Sequence, residues 1–185
     1  MPPLFYLVLM CKAGLFLKSH LNEIGEFMKN TRFKKILYAT DLGRNSHIAL
    51  DVAMNIAAST QAKLIFMHVI NNMDIEQDEA IESYISDALF KQIRKSKQGM
   101  AAEKIERRLA EIKDENPALF ASIEIERVIK EGPVTAQILK LVEEESVDMI
   151  VIGSRTHSTL GELLIGSTAS KVVHRSKVPV TVVPL

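Results

Sequence analysis

From Phe33 onward the chain alternates short apolar runs with longer amphipathic stretches, and this alternation constrains the fold more than any single residue. Lys35 to Thr40 reads as a first strand, and Asp41 to Asn45 as the loop after it. Asn45 or Ser46 is placed to cap a helix in which Ala49, Val52, Ala53 and Ile56 recur at helical spacing. Lys63 to Ile70 is an apolar run of the kind found in strands covered on both faces. A longer helical region is expected from Glu79 to Lys113, with Ile81, Tyr84, Ile85, Ala88 and Leu89 on one face and Ile105, Leu109 and Ile112 continuing it, with room for a kink between. Glu115-Asn116-Pro117 stops that helix. Ser122 to Val128 alternates strictly and is expected as a strand nearer a sheet edge. A turn at Glu131-Gly132-Pro133, a helix from Thr135 to Glu145, a strand from Val147 to Ile152, a helix from Ser167 to Ser176 and a strand from Pro179 to Pro184 complete the series. Buried strands alternating with helices imply an α/β fold of Rossmann-like type: a five-stranded, mainly parallel sheet with helices on both faces.

Bulk properties narrow the function classes. A chain of 185 residues is long enough for one sizeable core. Its 23 basic and 23 acidic side chains cancel, so no net field recruits nucleic acid or an anionic membrane. Cys11 is the only cysteine, which leaves no intrachain disulfide and no cysteine-based metal site and fits a cytoplasmic setting. The five histidines lack metal-ligand spacing, and each reads as structural or solvated. Residues 1–27 stand apart from residues 28–185, the expected domain. The run Leu4 to Met10 is too short to span a bilayer, and its flanks do not match a signal peptide. That extension reads either as a poorly ordered tail or mis-assigned start before Met28, or as a peripheral membrane or partner-docking segment.

The stretch from Gly153-Ser154-Arg155-Thr156 to Gly166-Ser167 carries the chemistry. An apolar strand that opens into a Gly/Ser/Thr-rich loop and then a helix suits phosphate, because glycine admits close backbone approach and a helix start offers unpaired N–H groups. In a sheet of this kind ligands sit at the carboxyl ends of the strands, here Thr40-Asp41, Ile70-Asn71 and Ile152-Gly153. The last strand has proline at both ends, Pro179 and Pro184, which argues for an edge position. Its short apolar middle, Val180 to Val183, reads as a capped edge or as a strand that pairs across a two-fold axis to make a homodimer.

These residues resemble the universal stress protein family, whose loop pattern G-x2-G-x9-G-[ST] follows the fourth strand of a five-stranded α/β fold. Gly153 matches the first glycine, Gly166 the last and Ser167 the final hydroxyl. Tyr38 to Asp41, Phe66 to Ile70 and Val178 to Val183 are similar to the family's first, second and closing strands, so the resemblance covers Phe33 to Leu185. It implies a fold of the adenine nucleotide alpha-hydrolase-like kind and binding of ATP, with Asp41 either taking the ribose hydroxyls or assisting Mg²⁺. Carried over by position, Asp41 takes the ribose hydroxyls, with an Asx-type loop carboxylate as its other reading. Ala39 and Thr40 line the adenosine pocket, and Val69 offers backbone groups to adenine or serves as plain core. Ile152 closes the strand, and Gly153 and Gly166 admit the phosphates or merely turn the chain. Ser167 and Thr168 donate to phosphate, or Ser167 is simply a helix N-cap. The family's second glycine falls on Thr156. That threonine, beside Arg155, either reshapes the cradle or adds a donor to it.

No committed catalytic set accompanies the loop. The P-loop pattern G-x-x-x-x-G-K-[ST] and the G-x-S-x-G elbow are both missing from the sequence. The reading is therefore a nucleotide-binding stress module acting through dimerisation and an unknown protein partner. A nucleotide-free dimeric module of the same fold and a weak ATPase using His157 or Asp41 are the alternatives.

Overall fold

The central strands carry apolar side chains at successive positions, so both of their faces have to be covered. The computed structural model describes residues 33–71, 87–154 and 165–185. Along these the order is β1 (Lys35–Thr40), α1 (Ser46–Thr60), β2 (Lys63–Ile70), α2 (Asp87–Glu115), α3 (Pro117–Ala121), β3 (Ile125–Glu131), α4 (Val134–Glu144), β4 (Met149–Ser154), α5 (Ser167–Arg175) and β5 (Val180–Pro184). The strands form one 5-stranded sheet in the order β3-β2-β1-β4-β5, with every adjacent pair parallel. The expected α/β fold is the observed one, and β3 and β5 hold the two edges.

Because successive side chains point to opposite faces of a strand, the sheet sorts its residues into two layers. Ile36, Tyr38, Leu64, Phe66, Met149 and Val151 face α1 and the second half of α2, where Leu50, Met54, Ile105 and Leu109 meet them. Leu37, Ala39, Ile65, Met67, Ile150 and Ile152 face α4 and α5, against Ile138, Leu141, Ala169 and Val172. Each fully buried Leu, Ile, Val, Met or Phe contributes roughly 1.5–3 kcal/mol. At the amino end of the sheet, Asp148 Oδ2 accepts the amides of Lys34 and Lys35 at 2.7 and 2.9 Å, which fixes β1 against the start of β4.

Several boundaries differ from the sequence reading, each for a local reason. The strand expected at 122–128 runs instead over Ile125–Glu131. Ser122 is used to close α3, its amide and Oγ both donating to the Leu119 carbonyl, so pairing with β2 begins only where Ile125 stands opposite Leu64. Pro117 does end α2, yet it also opens α3 at a position where its missing N–H costs nothing, and Asn116 caps that turn. Within α2 the expected apolar face is only half realised: Ala101, Ile105, Leu109 and Ile112 are buried, whereas Leu89 is 46% exposed. Ile81, Tyr84 and Ile85, like the extension 1–27, lie outside the described residues. The buried face of α1 is Ala49, Leu50, Ala53, Met54 and Ala57; Val52 and Ile56 are only partly covered. At the far end of β3, Gly132 adopts φ +118 and its amide donates to the Ile70 carbonyl, a conformation that favours glycine.

Candidate functional site

The chain builds β1, β2 and β3 outward on one side of the sheet and then returns to lay β4 and β5 on the other. β1 leads into α1 on one face, and β4 leads to α5 on the other. Connections that diverge in this way leave a crevice above adjacent carboxyl ends, and a cavity of about 700 Å³ lies there. That volume is within the range of small-molecule sites.

Its walls come from several elements. The end of β1 and the following residue supply Tyr38, Ala39, Thr40 and Asp41, and α1 supplies Ser46 and Ala49. Met67, His68, Val69 and Asn71 come from β2 and its exit, Val134 and Ile138 from α4, and Ile152 and Gly153 from β4. Gly166, Ser167, Thr168 and Ala169 open α5 onto the cavity, and Leu185 completes the lining. All the expected site residues among the described ones line this cavity together: Ala39, Thr40, Asp41, Val69, Ile152, Gly153, Gly166, Ser167 and Thr168. Arg155 and Thr156 lie outside the described residues, as do His157 and Glu162.

The loop after β1 is held by its own side chains. Thr40 Oγ1 accepts the Leu42 amide at 3.0 Å, and Asp41 Oδ1 accepts the Gly43 amide at 2.7 Å. Leu42 takes a left-handed conformation, φ 57, which a branched residue adopts only when its surroundings impose it. Ser46 Oγ donates to the Gly43 carbonyl at 2.8 Å, and the buried Tyr38 hydroxyl donates to the Ser46 carbonyl at 2.8 Å. Burial pushes the Tyr38 phenol up to about 12, against lesser opposing hydrogen bonds from Thr40 and Ser46. Asp41 thus makes the Asx-type turn, and that turn keeps its exposed carboxylate at the cavity mouth.

The start of α5 is bare of side-chain capping. Its N-cap is Gly166, with Ser167 one position inside, so the reading of Ser167 as the cap is corrected. The first bond closing the helix runs from the Ser170 amide to the Gly166 carbonyl at 2.9 Å. The amides of Ser167, Thr168 and Ala169 therefore precede the ladder at the positive end of the helix, an arrangement that favours an anion. Ser154 Oγ accepts the Gly166 amide at 3.1 Å and ties the end of β4 to the start of α5.

Gly153 is neither a turn glycine nor a loop residue. It belongs to β4, whose strand runs through Ser154, and it pairs in register with Val183. A Cβ built on it meets Leu185 Cδ1 at 2.7 Å, so the glycine makes room for the side chain that follows β5. Sequence reasoning passed over Ser154, Tyr38, His68 and Leu185. In sequence Ser154 reads as part of the loop, and His68 as a strand residue among five histidines without metal-ligand spacing. His68 Nδ1 in fact lies 2.9 Å from the Thr40 carbonyl. Nothing near Tyr38 or Leu185 in sequence signals their place in the lining. Among the described residues, no group of three or more His, Cys, Asp and Glu side chains is placed to hold a metal ion, and no helix is long and apolar enough to cross a membrane.

Comparison with known proteins agrees with this geometry. Residues 32–184 match the model of the universal stress protein family. A universal stress protein of Methanocaldococcus jannaschii is 28% identical over 155 residues, covering 82% of this chain and 94% of its own. The solved structure of that name, described as a structure-based assignment of biochemical function, superposes with a TM-score of 0.64 and covers 84% of this chain and 98% of its own. Universal stress protein YxiE of Bacillus subtilis is 30% identical over 155 residues, covering 82% and 99% of the two chains. A universal stress protein solved in complex with cAMP is 25% identical, with a TM-score of 0.54 and coverage of 83% and 98%.

Proposed function

Because the chain belongs to the universal stress protein family, we propose that the cavity between the ends of β1 and β4 binds an adenine nucleotide, with ATP as its ligand and Mg²⁺ accompanying it beside Asp41. One observation carries this reading. The β1 end, the β2 end, the Ile152-Gly153 pair and the uncapped start of α5 converge on one cavity, although they are far apart in sequence. The apolar wall of Val69, Val134 and Ile138 suits a purine, the Asp41 carboxylate suits ribose hydroxyls, and the amides of Ser167 and Thr168 suit phosphate. The cAMP complex of a similar protein supports the adenine part. Arg155 and Thr156, which follow β4 in sequence, belong to the same proposed site.

The protein acts as a binding module of the cytoplasm rather than as an enzyme. Occupancy biases a homodimer formed through Val180–Val183 of β5 and the affinity for a protein partner, within a domain spanning residues 28–185. Mass spectrometry of small molecules released from the purified protein identifies the nucleotide. Titration with ATP then compares the wild type with Gly166→Asp. An aspartate is a favoured N-cap, so the fold is retained while a carboxylate is set against the phosphates. ATP affinity is expected to fall at least tenfold; equal affinity for the two proteins defeats the nucleotide reading and leaves the nucleotide-free dimeric module.

A further inference from the structure

His68 and Thr40 stand opposite each other in the β1–β2 register, 28 residues apart in sequence. The Lys63 amide donates to the Lys34 carbonyl at 2.8 Å, and the period of two along β1 then turns the carbonyl of Thr40 toward β2 as well. There the half-buried ring of His68 brings Nδ1 to 2.9 Å from it. A carbonyl oxygen only accepts, so Nδ1 carries the proton. Thr40 is also where the loop turn begins: its Oγ1 accepts from Leu42, and the next residue, Asp41, accepts from Gly43. His68 itself lines the cavity.

We infer that His68 is a positioning residue for the loop after β1: its Nδ1–H holds the Thr40 carbonyl and thereby sets the turn that presents the Asp41 carboxylate to the cavity. The hold on the loop is independent of any ligand. Its consequence for ribose recognition rests on the nucleotide reading given above.

Two amide substitutions separate this role from bulk and from direct ligand contact. In His68→Asn the side-chain NH₂ falls near the place of Nδ1, whereas in His68→Gln it falls near that of Nε2. The first readout needs no nucleotide: the backbone amide shifts and hydrogen exchange of Leu42 and Gly43, measured by NMR on the full chain. Wild type and His68→Asn are expected to keep these amides hydrogen-bonded, while in His68→Gln they exchange severalfold faster. Equal behaviour in all three proteins, or rescue by Gln and not by Asn, overturns the inference. Should His68→Asn not fold, His68→Phe keeps a ring without the donor, and unchanged amides in that variant likewise overturn it.

The second readout compares ATP with its 2′,3′-dideoxy analogue by calorimetry. Wild type and His68→Asn are expected to prefer ATP, and His68→Gln to lose roughly threefold to tenfold of that preference, part of what hydrogen bonds to a carboxylate contribute. Full preference retained in His68→Gln overturns the link to the carboxylate. A wild type that binds neither compound defeats the nucleotide reading, and the amide data still decide the positioning role.

Discussion

At Gly153 a single missing methyl group gives Leu185 its room. Leu185 Cδ1 occupies the space 2.7 Å from where a Cβ would stand, and the Leu185 amide is bonded to the Ser154 carbonyl at 3.0 Å, so the leucine is held close by its own backbone. Gly153→Ala is expected to destabilise the fold by at most about 1 kcal/mol, because the atoms in the way belong to the end of the Leu185 side chain, which can turn aside. Leu185→Ala should recover most of that loss when added, a coupling that urea melts of the two single variants and the double variant measure directly. Additive effects would return Gly153 to a role in ligand approach alone. Tyr38 offers a second test, in pH. Burial raises its phenol from 10.0 to about 12, so between those values the unfolded chain releases a proton that the native one retains. The native state then binds more protons, and its stability falls as pH rises through that window. Below pH 10 the wild type should exceed Tyr38→Phe by about 1 kcal/mol from the bond to Ser46, and above it the gap should close and then reverse, because a shift of that size removes roughly 2–3 kcal/mol by pH 12. Parallel curves would mean that the phenol ionises as in water.

Among the elements, β5 shows what an edge strand leaves unsatisfied. The Pro179 carbonyl accepts from Ile150 and the Leu185 amide donates to Ser154, so both bond inward to β4. The period of two then turns residues 180, 182 and 184 outward. Pro184 falls in the outward set, where its missing N–H breaks no bond to β4, and the amides that face away are those of Val180 and Val182. Val182→Pro removes one outward donor without touching the inward ladder. If the homodimer forms through β5, sedimentation should show dimer affinity reduced at least tenfold with the monomer still folded. An unchanged dimer would place the interface elsewhere. The same strands explain what was legible in the sequence. β1 and β2 fall where they were read because loop residues flank a continuous apolar run, a local signal. The end of β4 differs from the sequence reading because a glycine next to serine signals a turn, and the glycine's actual neighbour, Leu185, follows β5, far along the chain. Leu89 fits the helical period of α2 yet is exposed, since periodicity states which residues share a face and not how far along the helix the sheet extends. The site divides the same way. Its strand ends and glycines follow from the rule for open α/β sheets, whereas Tyr38, His68 and Leu185 enter through contacts across the fold.

At the scale of the whole molecule, the cavity joins the two halves of the sheet. β1 and β2 contribute one side and β4 with α5 the other, and the Ser154–Gly166 hydrogen bond is a local tie within the second half. A ligand that touches both sides binds the folded state and not the unfolded chain, so its binding energy adds to the stability of the whole unit. If the cavity takes ATP as proposed, a free concentration a hundredfold above Kd gives a gain of about 2.7 kcal/mol. For a domain of this size that corresponds to a rise in Tm of roughly 5–10 °C. The protein is neutral overall, with 23 basic and 23 acidic side chains, so the effect has to arise at the site and not from a general attraction for anions. Inorganic triphosphate at the same concentration should therefore give a much smaller rise, because it would engage the start of α5 and leave Asp41 and the wall of Val69, Val134 and Ile138 without contacts. Thermal melts with ATP, triphosphate and buffer alone make the comparison. Hydrogen exchange adds its location: ATP should slow exchange at the ends of β1 and β4 and at the first turn of α5 together. Equal shifts with ATP and triphosphate would reduce the site to an anion cradle at one helix, and protection confined to α5 would show that the two halves are not joined through the ligand.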